Sequence, residues 1–149
     1  MKTTNKMNPE IKALWVDALR SGEYQQGKLL LKPTKNTFCC LGVLCDLAVK
    51  AKAEGVVWGD IQYPIDSNGE AIYYDDPDNY GESMSEDSEL PYPVMRWAGL
   101  MSENPKVEVF DEEKDEDGIR NPEVMMLSQL NDDHNFTFQQ LADIIERQL

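Results

Sequence analysis

Phe38-Cys39-Cys40-Leu41-Gly42-Val43-Leu44-Cys45-Asp46-Leu47-Ala48 is the stretch that decides the fold class. Leu41, Leu44, Cys45, Leu47 and Ala48 recur at the three- and four-residue steps that share one helical face, so a buried helix is expected from about Cys40 to Ala53, closed by Gly55. Just upstream, Lys28-Leu29-Leu30-Leu31 and Thr37-Phe38-Cys39 flank the turn-forming Lys32-Pro33-Thr34-Lys35-Asn36 and read as a short hairpin. A buried helix next to a local hairpin points to α+β rather than to a bundle or a sandwich.

The same mixture continues outward. Asn8-Pro9-Glu10 opens a first helix: Asn8 caps, Pro9 takes the first helical position and Glu10 complements the dipole. Ile11, Leu14, Trp15, Ala18 and Leu19 line its buried face, and Gly22 ends it. Residues 61–65 and 71–74 read as a second hairpin around Asn68-Gly69, a pair suited to the positive φ angles of a tight turn. Leu90-Pro91-Tyr92-Pro93 leads into a short helix through Trp97, stopped by Gly99, and Lys106-Val107-Glu108-Val109-Phe110 alternates like a half-solvated strand. Asn121-Pro122-Glu123 repeats the capping logic of Asn8 and predicts a helix ending near Leu130. Thr137 caps a last helix with Leu141, Ile144 and Ile145 inward. The expectation is one compact α+β domain over residues 1–149, with a small antiparallel sheet or hairpins packed against four to five helices.

The 149 residues include 28 acids against 14 Lys and Arg, a formal charge of −14. Most of it sits in two stretches. Residues 75–89 hold seven acids and no base, and residues 111–118 hold six acids and Lys114. Both read as acidic loops, the first a mobile excursion without apolar periodicity, and the rest of the chain is nearly neutral. Direct binding of duplex nucleic acid is disfavoured, because phosphate affinity needs clustered Lys and Arg. No run approaches the roughly 18 apolar residues of a membrane span, and residues 1–6 lack a signal-peptide core. Cys39, Cys40 and Cys45 are too close together for a disulfide scaffold and imply reduced thiols.

Four groups of residues could carry chemistry. Cys39 or Cys40, at a helix start, could serve as a nucleophile with His134 as base. Against that, the thiols lie between Phe38 and Leu41-Gly42-Val43-Leu44, where free Cys packs as a small hydrophobe, and His134 falls in a polar turn. Glu113, Asp115, Asp117 and Gly118 echo the start of a calcium loop, but Val124 stands where its bidentate Glu is required, so no metal site is expected. Arg20, Tyr24, Gln26 and Lys28 combine a fixed cation, a ring and amide donors, the groups that recognise a phosphorylated nucleotide. Arg96, Trp97 and Asn131 could join them, although a helix end, a core anchor and a capping residue explain the same positions. The dense carboxylates could imitate the phosphate array of DNA, whereas solubility alone also accounts for them.

Asn8-Pro9-Glu10-Ile11 through Arg20-Ser21-Gly22-Glu23-Tyr24-Gln25-Gln26-Gly27, Phe38 through Cys45, Leu90-Pro91 through Trp97-Ala98-Gly99-Leu100, and Leu130-Asn131-Asp132 through Ile144-Ile145-Glu146 together resemble a family of small, functionally uncharacterised proteins of tailed bacteriophages and prophages. The resemblance covers most of the chain outside the two acidic loops and implies a phage origin; with the missing signal-peptide core, the expected location is the host cytoplasm. It supplies no functional residues. The expected function is therefore that of a phage accessory, anti-defence binding protein without a cofactor, which sequesters a small nucleotide-type host signal. The alternative is an acidic interaction protein that blocks a host defence protein, by DNA mimicry in one version. The further alternative is a cysteine hydrolase. Homo-oligomerisation is left open.

Overall fold

The computed structural model describes residues 6–62, 67–76, 83–110 and 122–149. Its helices are α1 (Pro9–Arg20), α2 (Cys40–Lys50), α3 (Tyr92–Ala98), α4 (Leu127–Asp132) and α5 (Phe138–Gln148). Its strands are β1 (Gln25–Gln26), β2 (Thr37–Phe38), β3 (Val57–Asp60), β4 (Glu70–Asp75), β5 (Ser83–Glu86), β6 (Lys106–Phe110) and β7 (Pro122–Met126). They form a parallel β1–β2 pair, an antiparallel β3–β4–β5 sheet and an antiparallel β6–β7 ribbon. The fold is α+β.

Helix α2 is the axis of the core. Cys40 through Cys45 are buried without a break, which a helix shows only when it is packed on all sides. Trp15 and Leu19 of α1, Val94 of α3, Leu130 of α4 and Leu141 and Ile145 of α5 complete one apolar cluster around it. Trp15 is fully buried and its indole N–H donates to the Cys40 carbonyl at 3.0 Å, which satisfies the one polar atom that burial would penalise. Caps form as the sequence predicts. The Asn8 side chain accepts from the Glu10 N–H, and Thr137 and Gln140 form a reciprocal capping box on α5.

One backbone crossing ties the sheet to α2. The Leu31 N–H donates to the Asp87 carbonyl at 2.7 Å, and its carbonyl accepts from the Cys39 N–H at 3.1 Å. The Lys32 carbonyl accepts from Glu70 at the start of β4. Leu31 runs so close to α2 that a Cβ on Gly42 would lie 1.8 Å from its carbonyl oxygen. Only glycine fits there.

Several local expectations are corrected. Residues 28–31 form no ladder with 37–39: the short ladder is parallel and pairs Gln25-Gln26 with Thr37-Phe38, while Leu31 makes one bond to Cys39 and gives its N–H to Asp87. Helix α2 ends at Lys50, and Gly55 closes a separate turn of 3-10 helix over Ala53–Gly55. The second hairpin uses Val57–Asp60 as its first arm. Neither Asn68 nor Gly69 adopts a positive φ; Gly69 instead lets the Lys32 carbonyl approach to within 2.9 Å of where a Cβ would stand. Residues 83–86 of the first acidic stretch form β5, in register with β4 from Ile72↔Glu86 to Asp75↔Ser83. Pro122 begins a strand rather than a helix, since residues 122–126 pair with β6, and helix starts only at Leu127. The other acidic stretch, 111–118, with its calcium-like residues, lies outside the described residues.

Replacing Gly42 with Ala should lower stability by about 3 kcal/mol or more, since the clash is with backbone that cannot swing away. Thermal unfolding followed by circular dichroism should show a fall of about 10 °C. Gly22→Ala, at a positive φ with nothing within 4 Å, is the control and should lose about 1–2 kcal/mol. Equal losses would show that the Leu31 crossing is not the tight point.

Candidate functional site

The polar segment after α1 is engaged with the chain itself. The Gln26 side-chain amide donates to Asn131 Oδ1 at 2.8 Å and to the Phe136 carbonyl at 2.7 Å. Asn131 is fully buried and its amide donates to the Gly27 carbonyl and to Asp132 Oδ1. Asp132 Oδ1 also accepts from the Leu29 N–H, and the Lys28 ammonium donates to Asn135 Oδ1. Gln26, Lys28, Asn131, Asn135 and Phe136 surround one hollow of about 230 Å³.

The other cationic and aromatic candidates lie elsewhere, each with its own partner. Arg20 bridges to α5, at 2.6 Å from Asp143 and 2.8 Å from Glu146. The Tyr24 hydroxyl donates to Asp46 at 2.6 Å and accepts from Lys50, and its ring stands edge-on to Phe38 at 5.1 Å. Burial, and then the bond to Asp46, hold that hydroxyl above its ordinary pKa. Asp46 also receives the Trp58 indole N–H, so this cluster clamps β1, α2 and β3 together. Trp97 is half-buried against the core. Three of the predicted residues, Gln26, Lys28 and Asn131, share one hollow; Arg20, Tyr24, Arg96 and Trp97 do not line it.

The thiols sit where nucleophilic chemistry is suppressed. Cys39, Cys40 and Cys45 are buried, and burial pushes Cys39 up to about 12 and the other two well above their ordinary value. Cys39 caps α2, its sulfur accepting from the Gly42 N–H at 3.4 Å, yet desolvation outweighs this help from the helix end. His134 is exposed after α4. Among the described residues no buried side-chain nitrogen or oxygen lacks a partner, so the interior offers no orphaned polar group to a ligand.

Charged and aromatic side chains also meet beside α3. A cleft of about 380 Å³ is lined by Glu54, Tyr74, Asp75, Asp76, Tyr92 and Arg96, with Pro93 between them. Arg96 is held 2.5 Å from Glu54 and lies 5.0 Å from the centre of the Tyr92 ring. Three carboxylates, one guanidinium and two tyrosines thus line one cleft, with Glu54 the carboxylate that meets Arg96. Burial first, then the negative field of Glu86 and Asp76, holds the Tyr74 hydroxyl above its ordinary value. Sequence reasoning named Arg96 but missed the rest, because Glu54, Tyr74 and Tyr92 meet only through the packing of α3 on the 3-10 turn and of that turn on β4. Tyr73-Tyr74-Asp75-Asp76 was the local signal.

A family described as a domain of unknown function (DUF8296) matches residues 7–149. No curated protein matches the chain. No solved structure matches it either. Among the described residues no helix is long and apolar enough to cross a membrane.

In the native protein at pH 8, thiol reagents should label no cysteine within minutes, and all three after denaturation. One rapidly modified thiol in the folded state would overturn the buried assignment. A raised thiol pKa keeps the proton in the fold after the unfolded chain has lost it. Its stabilising effect is therefore complete below the ordinary value of 9.0 and is lost as pH rises from there towards about 12.

Proposed function

We propose that this chain, which belongs to that family of unknown function, is a non-enzymatic interaction protein that receives a cationic side chain of a partner protein in the cleft beside α3. The observation that carries the reading is the cleft's composition among the described residues: Glu54, Asp75, Asp76 and Arg96 between Tyr74 and Tyr92. Carboxylates attract a Lys or Arg from a distance, and tyrosine faces hold its apolar stem and cation. The charge of −14 favours the same class of partner by speeding encounter with basic surfaces. The resemblance to tailed-phage proteins suggests a host defence protein as the partner.

A second reading keeps the small nucleotide-type ligand and places it at the hollow of Gln26, Lys28 and Asn131, since these three candidates do adjoin. Lys28 is the cation there. Titration calorimetry with cyclic dinucleotides and ADP-ribose separates the two: heat that disappears in Lys28→Ala supports the nucleotide, and none from a folded sample retires it.

For the main reading, fluorescence anisotropy with a labelled Lys/Ser peptide should show binding that weakens as salt rises from about 50 to about 300 mM. Asp75→Lys should cost about fivefold or more, the order expected for reversing one nearby charge. Glu123→Lys, an exposed change of equal charge on β7, should cost clearly less. Equal losses from both variants would mean diffuse charge rather than a site.

A further inference from the structure

Helix α3 is a ridge with a second hollow on its other flank. This groove, about 360 Å³, is lined by Tyr92, Met95, Leu100 and Met101, with Arg96 and Gly99. Tyr92 and Arg96 line both hollows, so the acidic cleft and the apolar groove share a wall. Met101 is 75% exposed and Tyr92 60% exposed, although both neighbour the tightly packed Leu100. Large apolar side chains left in solvent beside a charged cleft mark a contact surface, and methionine adapts to varied apolar partners.

We infer that α3 and its two flanks form one bipartite docking site for a peptide segment of a partner protein, with a Lys or Arg entering the acidic cleft and a large apolar side chain covering Met101 and Met95. This rests on the reading of the cleft given above and adds the apolar half. Charge decides the orientation: the carboxylates lie on the cleft side, and the groove side carries apolar groups apart from the shared Arg96. Arg96 is already held by Glu54 and Tyr92, so the side chain shared by the two hollows is positioned before any partner arrives. A helix with its side chains is about 10 Å across. Side chains on one face of an extended chain recur every second residue at about 3.3 Å per residue, so two steps reach only about 7 Å, four reach about 13 Å, and the basic and apolar residues of the segment stand four apart.

Three short labelled peptides test this with the full chain: one with Lys and Leu four residues apart, one with Leu replaced by Ser, and one with Lys replaced by Gln. The Lys–Leu peptide should bind about tenfold more tightly than the Lys–Ser peptide, the gain expected from burying one large apolar side chain. Met101→Ser, at an exposed position the core does not need, should erase that gain and leave Lys–Ser binding unchanged. Equal affinity of the Lys–Leu and Lys–Ser peptides, or a gain that survives Met101→Ser, overturns the apolar half and leaves the cleft reading standing. If neither Lys-bearing peptide binds, both fall together. Equal binding by the Gln–Leu peptide identifies a purely apolar occupant and overturns the inference. Concentration-dependent dimerisation abolished by Met101→Ser identifies a second copy of this chain as the occupant and also overturns it.

Discussion

The close approach of the Leu31 carbonyl to Gly42 is the constraint from which the rest of the structure follows. The first half of helix α2, Cys40 through Cys45, is buried on every side, and the chain must still pass from β1 to β2 across its first turn. At Gly42 there is no side chain, so backbone packs directly on backbone. Leu31 then spends both of its peptide groups on long-range bonds, one to Asp87 just beyond β5 and one to Cys39 at the cap of α2. Lys32 continues to β4 through Glu70, with a side-chain ion pair of 2.8 Å in a mostly buried setting beside Phe38 and Trp58. The three-stranded sheet is hung on the central helix by this segment. Because β4 supplies Tyr74 and Asp75 to the cleft, the same crossing fixes where the acidic wall stands relative to α3.

The distribution of charge follows from how the few cations are used. Arg20, Lys32, Lys50 and Arg96 each lie within 4 Å of a carboxylate. Most of these pairs are exposed and contribute little stability. Their larger effect is on the field outside the protein. A cation neutralised by a neighbour no longer attracts phosphate, and the acids outnumber the bases two to one, so the surface potential is set by carboxylates. Glu86 illustrates the result: burial first, then Glu89, Asp87 and Glu103, raise its pKa. A surface potential of this sign speeds encounter with positive charge and slows encounter with negative charge.

What the sequence revealed was what is decided locally. Asn8, Thr137, Gly22 and Gly99 act within a few residues of themselves, and the helices they bound lie where spacing and capping placed them. Helix α2 was legible because its apolar run is long. The errors share one physical origin, competition between local preference and a distant partner. Asn121-Pro122-Glu123 has the chemistry of a helix start, but β6 offers a ladder to residues 122–126 and the ladder wins. Lys28 to Leu31 has the composition of a strand, but Leu31 is claimed by Asp87 and Cys39. The cleft was less legible still. Its walls come from residues 54, 74–76 and 92–96; Arg96 was named and Asp75 and Asp76 were read only as part of an acidic loop, because nothing local brings the three segments together.

The polar cluster after α1 shows why density of hydrogen-bonding side chains does not by itself mark a ligand site. Residues 27–32 form no regular ladder, so their peptide groups need partners from elsewhere. Asn131 supplies one to Gly27 and Asp132 one to Leu29, while Gln26 reaches the Phe136 carbonyl across 110 residues of sequence. Leu29 adopts a φ of 77°, which a branched side chain tolerates only when its surroundings hold it there. These amides and carboxylates therefore hold in place the irregular segment that must deliver Leu31 to Gly42. Seen from the sequence, a set of side chains shaped to bind a nucleotide and one shaped to bind its own backbone look alike, because both consist of donors and acceptors around a flexible loop. They differ in whether the donors are already satisfied. Around Gln26 and Asn131 they are, whereas on the flanks of α3 Tyr92, Met101 and Asp75 are exposed.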